Sequence, residues 1–324
     1  MTQPLISAII CTHNRAGYLG GAIASLLGQT YPTYEIIVVD NASCDRTKDV
    51  VDTFLPHPKL TYVYESTLGL STARNRGAAV AQGTILAYLD DDAEASPHWL
   101  AALAEVFEQH PRAAIAGGPV SLIWPRGMTA PGWLSPTLSE SLGTYDLGQA
   151  LRLIAEPGQT PRGLNYAVKK SFLDTVGGFD VQLGRVGKNL LSNEELHLTQ
   201  QALAAGLEVL YVPQAQVAHN VAPERLRRSW FWRRGWWQGI SECHREQVAG
   251  TLALGRVRVR STGLVRGLIK ALRHWPDPAL RFENLVYAYG QLGYVLSGLK
   301  YLLARPGAKR PADALARSRA GLGN

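Results

Sequence analysis

The sequence predicts an α/β fold: a Rossmann-like, mostly parallel sheet flanked by helices, with a helical C-terminal extension. Three observations predict it. Four short apolar runs alternate with three segments of helical spacing over residues 5–89, a rhythm that calls for parallel strands joined by crossover helices. Three of those runs end at Thr12, Asp40 and Asp90, and ligands in such sheets bind beyond the carboxyl ends of the strands. Charge is also divided unevenly: residues 1–223 carry 14 Lys+Arg against 20 Asp+Glu, and residues 224–324 carry 19 against 6.

The elements follow in order. Residues 5–11 are apolar and end in Thr12-His13-Asn14-Arg15, which reads as a buried first strand. Residues 16–29 place Leu19, Ile23, Leu26 and Leu27 on one side of a helix. Residues 34–39 are a second strand closing on Asp40. The turn Asn41-Ala42-Ser43-Cys44-Asp45 carries capping residues before a helix over 46–54. Residues 60–64 are a third strand, 68–71 lead into a helix to about Ala81, and 84–89 are the fourth strand. Pro97 opens a further helix that ends near Pro111, and 113–120 is another apolar run.

The second half is less regular. Residues 124–161 are rich in Pro, Gly and Trp with little periodicity. A segment that long is often a functional loop, here expected to border an acceptor site. Residues 163–168 are strand-like, 170–176 a short helix, and Gly177-Gly178-Phe179-Asp180 a turn. Ser192-Asn193-Glu194-Glu195 opens a helix to Ala205, and 208–213 form a strand before His219. Ser192-x-x-Glu195 is also a capping-box pattern.

The fourth strand ends in Asp90-Asp91-Asp92. Three adjacent carboxylates repel one another. Hard oxygen ligands suit Mg²⁺ or Mn²⁺, which can clamp a diphosphate; the alternative is a solvated loop with an Asp at a helix cap. A dinucleotide dehydrogenase is excluded, because the turn after the first strand has no G-x-G. A sugar-phosphate nucleotidyltransferase would need a glycine- and lysine-rich loop there. A nucleic-acid-binding protein using the Arg- and Trp-rich tail would leave the strand-end acids unexplained.

Together, Ile9-Ile10-Cys11-Thr12-His13-Asn14-Arg15, Val38-Val39-Asp40-Asn41-Ala42-Ser43-Cys44-Asp45, Leu68-Gly69-Leu70-Ser71-Thr72-Ala73-Arg74-Asn75-Arg76-Gly77 and Leu89-Asp90-Asp91-Asp92 resemble glycosyltransferase family 2. The resemblance covers about residues 5–220. It implies a GT-A fold and an inverting, metal-dependent enzyme using a nucleoside diphosphate sugar. UDP is the favoured base, and a glycan or lipid-linked hydroxyl the acceptor. The nucleotide would meet Thr12, His13, Arg15, Asp40, Arg74, Asn75, Asp90 and Asp91. Asp92 with Asp90 and His219 would hold Mn²⁺ or Mg²⁺. The family usually has Glu-Asp where this chain has Glu194-Glu195, so either acid is a candidate base, with Glu195 preferred. Arg225, Trp230 and Arg233 would serve the acceptor or a phosphate.

The chain is thus expected to divide into a catalytic domain over 1–223, with a nucleotide-sugar half to about 120 and an acceptor half over 121–223, and a basic extension over 224–324. Three scattered cysteines without zinc-ligand spacing fit a reducing cytoplasm. No leader precedes the first strand, so the expected place is the cytoplasm. Basic residues upstream of the uncharged stretch 284–299 suggest peripheral contact with an anionic inner membrane face. That stretch is too short to span a bilayer and reads as a packed or interfacial helix. Residues 305–324 are expected to be flexible.

Overall fold

A computed structural model of the chain describes residues 3–187 and 189–304. The N-terminal half lays down β1 (Ile6–Thr12), α1 (Ala16–Leu27), β2 (Tyr34–Asn41), α2 (Thr47–Asp52), β3 (Leu60–Glu65), α3 (Leu70–Val80) and β4 (Ile85–Asp90). Next come β5 (Ala93–Ala95), α4 (Trp99–Gln109), β6 (Ala113–Gly117), β7 (Val120–Ile123), α5 (Pro136–Ser139), β8 (Arg152–Leu153), β9 (Asn165–Lys169) and α6 (Lys170–Thr175). The chain continues with α7 (Glu194–Ala204), β10 (Glu208–Tyr211) and β11 (Val217–Asn220). Three long helices close it: α8 (Arg228–Val248), α9 (Leu254–Arg273) and α10 (Pro278–Ala304).

The main sheet has the order β3-β2-β1-β4-β9-β6-β10-β8. Six strands are parallel; β9 and β8 run against them. Strands covered on both faces must be apolar throughout, which is why Ile9, Ile10, Val38, Val39 and Leu86 are all fully buried. Strand order reverses between β1 and β4, where a crevice forms at the carboxyl ends. Thr12 there pairs in register with Asp40, and Cys11 with Asp90.

The apolar run 113–120 is divided between two sheets. β6 belongs to the main sheet, but β7 pairs with β11 in a small sheet ordered β5-β11-β7. The crossing occurs at Gly117-Gly118, where the backbone passes so close that a Cβ on Gly118 would lie 2.1 Å from the Ala215 carbonyl oxygen. This small sheet matters for the site. β5 leaves the acidic triplet directly, and its Ala93 pairs with His219 of β11.

The stretch 284–299 lies within α10 and is packed: Val286, Ala288, Gly290, Gln291, Tyr294 and Val295 are buried, with α8 and α9 as neighbours. Residues 305–324 lie outside the described residues. At Gly239 a Cβ would stand 1.8 Å from the Gly290 carbonyl oxygen, and rigid helix backbone cannot yield as a side chain can. Gly239→Ala should therefore cost about 1–3 kcal/mol, read as a lower urea midpoint with an unchanged slope.

Candidate active site

The crevice beyond β1 and β4 has a volume of about 750 Å³. Its first wall is the β1–α1 loop. Asn14, with φ 54°, holds this loop to the next one: its side-chain oxygen accepts from the Cys44 and Asp45 amides at 2.8 and 3.2 Å. His13 Nδ1 lies 2.7 Å from the Asn41 carbonyl oxygen. Thr12, His13 and Arg15 line the crevice as expected, and so does Asn41. Asp40 lies beneath the wall, 2% exposed. It accepts from the Ser43 amide at 3.0 Å and from the Tyr62 hydroxyl at 2.8 Å. Asp40 thus holds the turn that presents Asn41 and is not itself among the lining residues.

The acidic triplet separates into three environments. Asp90 keeps its carboxylate partly open to the crevice, 3.9 Å from Arg74 Nη2. Asp91 is buried, and burial together with the neighbouring Asp92 charge pushes its carboxyl up to about 7. Asp92 is also buried, but that cost is outweighed by His219, Arg225 and Arg15, which hold it well below the usual carboxylate range. His219 Nε2 lies 3.2 Å from Asp92 Oδ1, while Arg225 Nη2 and Arg15 Nη2 lie 3.0 and 3.5 Å from Oδ2.

The His219 tautomer follows from its surroundings. Nδ1 lies 2.6 Å from the Leu142 carbonyl oxygen, so Nδ1 carries a proton and donates it. Nε2 lies 3.1 Å from Arg225 Nη1 and 3.2 Å from Asp92 Oδ1, so a proton there serves Asp92 and a lone pair there accepts from Arg225. A carboxylate and an imidazole nitrogen thus meet in one corner of the crevice, where two guanidiniums already offset the carboxylate charge and would have to give way to a metal ion. Among the described residues no group of three His, Cys, Asp or Glu could hold a metal, so a metal here would take Asp92 and His219 and complete its shell from substrate or water.

The far wall is organised by Arg74. Arg74 is 2% exposed, and its guanidinium lies over the Tyr88 and Phe179 rings, 5.9 and 5.3 Å from their centres, the two rings meeting edge to face. Nη1 donates to Glu194 at 2.9 Å; Nη2 lies 3.6 Å from Glu195 and 3.4 Å from the Gly163 carbonyl oxygen. Arg74 lines the crevice and holds three carboxylates there. Glu194 is buried, and burial with the Glu195 charge pushes its carboxyl up to about 7 against the pull of Arg74. Glu195 stays partly open to the crevice. Gly163 leaves it room: a Cβ there would lie 1.9 Å from Glu195 Oε1.

Three sequence expectations need correction. Asn75 does not face the crevice. Its amide makes two 2.8 Å bonds to the backbone of Phe179 and so pins the Gly178-Phe179 turn. Trp230 lies outside the crevice in the aromatic packing around Phe231, with ring centres 4.9 Å apart. The capping box is not formed either. α7 starts after Asn193, which has φ 89° and makes no side-chain cap bond. Ser192 is engaged by Arg234 and by Ser241.

Arg225 and Arg233 do line the crevice. So do Arg162, Arg185 and Arg234, which sequence pattern did not single out. Burial lowers the Arg234 guanidinium to about 10, with Arg185 adding to the effect. The signal for Arg234 was the run of arginines entering α8 and for Arg185 the basic loop after the Gly-Gly-Phe-Asp turn, while Arg162 stands alone at the irregular segment's end. The irregular segment 124–161 contributes Glu140, Leu142, Gly143 and Thr160 to the same crevice.

A family model described as "Glycosyl transferase family group 2" matches residues 85–303, and one described as "Glycosyl transferase family 2" matches residues 7–161. The chain belongs to glycosyltransferase family 2. Among relatives of this family, a glucosyl-dolichyl phosphate glucuronosyltransferase of Haloferax volcanii is 27% identical over 241 residues, 73% of this chain and 76% of that protein. A validoxylamine A glucosyltransferase of Streptomyces hygroscopicus is 37% identical over 101 residues, 30% of this chain and 24% of that protein. In fold, the chain is similar to the mannosyltransferase PcManGT from Pyrobaculum calidifontis, solved with GDP-Man and Mn2+: TM-score 0.54 and 22% identity, covering 99% of this chain and 81% of that one. S. aureus TarS 1-349 in complex with UDP gives a TM-score of 0.51 at 16% identity, covering 94% and 93%. The fold is GT-A, and the protein is a family 2 glycosyltransferase using a nucleotide sugar.

Proposed function

We propose that this glycosyltransferase inverts the anomeric centre, with metal assistance, as it passes a sugar from a nucleoside diphosphate donor, UDP favoured, to a hydroxyl of a glycan or lipid-linked acceptor. One observation carries the reading. The paired Asp92 and His219 and the partly open carboxylate of Glu195 border the same crevice. Inversion needs a base on one side of the sugar and charge relief on the other.

The residues divide the work as follows. Thr12, His13, Arg15 and Asn41 form the nucleotide edge, shaped from beneath by Asp40. Asp90, opening to the crevice, serves the ribose, and Asp91 supports the strand end. Glu195 takes the proton of the acceptor hydroxyl as it attacks. Arg74 holds Glu194 and Glu195 together, and Glu194 is the lesser candidate for the base. Arg225 and Arg233 meet the diphosphate or acceptor from the basic side. Asp92 and His219 would hold Mn²⁺ or Mg²⁺, which would draw charge from the departing diphosphate. A lipid-linked acceptor is favoured by the name of the Haloferax relative, which describes transfer to glucosyl-dolichyl phosphate.

The test is a thermal-shift panel of UDP- and GDP-sugars with Mn²⁺ or with chelator, on the wild type and on Asp92→Asn. A ligand that binds only the folded state raises the melting temperature. The expected result is a shift for one donor that Mn²⁺ enlarges. Asp92→Asn should lose the metal-dependent part together with turnover. Equal shifts with chelator, or near-normal turnover in Asp92→Asn, would remove the metal from the proposal.

A further inference from the structure

The helix α9 presents an apolar stripe to solvent. Leu254, Val265, Leu268, Ile269 and Leu272 fall on one side of it at about 100° per residue, with Leu272 67% and Ile269 59% exposed. Trp275, just past the helix end, is 63% exposed. The opposite side, through Val257, Gly263, Gly267 and Ala271, is buried, and α10 is the helix packed there. The stripe is therefore not a core face seen from its edge. It is a second apolar face on a helix that already has one.

Charge identifies the occupant. The helix holds Arg256, Arg258, Arg260, Arg266, Lys270 and Arg273, and no Asp or Glu occurs between Glu246 and Asp277. Arg256 and Arg260 are paired with Glu246 and Glu242 of α8. Arg258, Arg266, Lys270 and Arg273 are exposed and have no carboxylate partner among the described residues. Arg258 lies within the stripe, while Arg266, Lys270 and Arg273 flank it along one side. A second copy of this face would bring like charges together, which opposes self-association. An anionic lipid surface satisfies both features: acyl chains take the stripe and headgroups take the flank. Among the described residues no helix is long and apolar enough to cross a membrane, so the arrangement is one of lying on a bilayer.

We infer that the exposed face of α9 docks the protein flat on an anionic membrane, with the stripe Val265, Leu268, Ile269 and Leu272 entering the interface. The inference does not depend on which sugar is moved. The full chain is sedimented with vesicles of phosphatidylcholine alone and with phosphatidylglycerol mixed in, at low and high salt. Binding is expected only to the anionic vesicles, weakened by salt. Leu268→Glu with Leu272→Glu, and separately Arg266→Glu with Lys270→Glu, should each weaken it by about tenfold or more. These side chains are exposed, so both variants should keep the wild-type melting temperature and donor-dependent stabilisation, which separates a docking failure from a folding or donor-site failure. Equal binding to neutral vesicles, or undiminished binding by either variant, overturns the proposal. So does a wild-type dimer that Leu268→Glu with Leu272→Glu dissociates while vesicles bind nothing.

Discussion

Glu195→Gln is expected to lower sugar transfer by about 10²–10⁴-fold, with donor binding retained. The isosteric amide keeps the size of the side chain and its place beside Gly163, where a Cβ would lie 1.9 Å from Oε1. It removes the capacity to take a proton, along with the charge that faces Arg74. Glu194→Gln should be milder in rate, since Glu194 is buried and bonded to Arg74 at 2.9 Å, turned toward structure more than toward substrate. Single-turnover transfer and nucleotide-sugar binding, measured on the same preparations, check the pair. If Glu195→Gln turns over near-normally and Glu194→Gln does not, the base is Glu194.

What the sequence made legible was the part written in local pattern. Strand ends are punctuated by polar residues after apolar runs, so Thr12 and the triplet Asp90-Asp91-Asp92 could be placed at one crevice from pattern alone. His219 could be placed after a strand, and its pairing with Ala93 beside the triplet then brings it to Asp92. What stayed hidden depended on contacts between distant positions. Arg74 and Glu194 are separated by 120 residues, and helical spacing says nothing of which carboxylate a buried guanidinium will meet. Asn75, next to it, has the same kind of signal and the opposite fate, because the Phe179 backbone offers both a donor and an acceptor. The capping box failed for a similar reason. The pattern at Ser192 was intact, but Arg234 and Ser241 from α8 engaged its polar groups. Trp230 was read as a binding surface because a tryptophan among arginines looks alike whether it faces a ligand or packs against Phe231.

Arg74→Met is expected to destabilise the fold by about 3–5 kcal/mol, the usual consequence of removing one partner from a buried ion cluster. Met keeps an apolar side chain against the Tyr88 and Phe179 rings, so the loss is chiefly electrostatic. One guanidinium serves Asp90, Glu194 and Glu195, and without it the buried Glu194 faces Glu195 with nothing to offset either charge. The loss should depend on pH in a defined direction. Glu194 has a folded-state value of about 7, raised from 4.5, so between those values the folded protein holds more protons than the unfolded one. Its stability therefore falls as pH rises through that window. Arg74 works against the shift, so Arg74→Met should push Glu194 higher and carry the decline further into alkaline pH. Urea unfolding at pH 5 and pH 8 reads this directly. The variant should recover part of its stability at pH 5, and adding Glu194→Gln to it should flatten the decline between the two. Equal destabilisation of Arg74→Met at both pH values would mean that Arg74 acts by packing against the two rings, and the account of it as the charge that positions the acidic pair would fail.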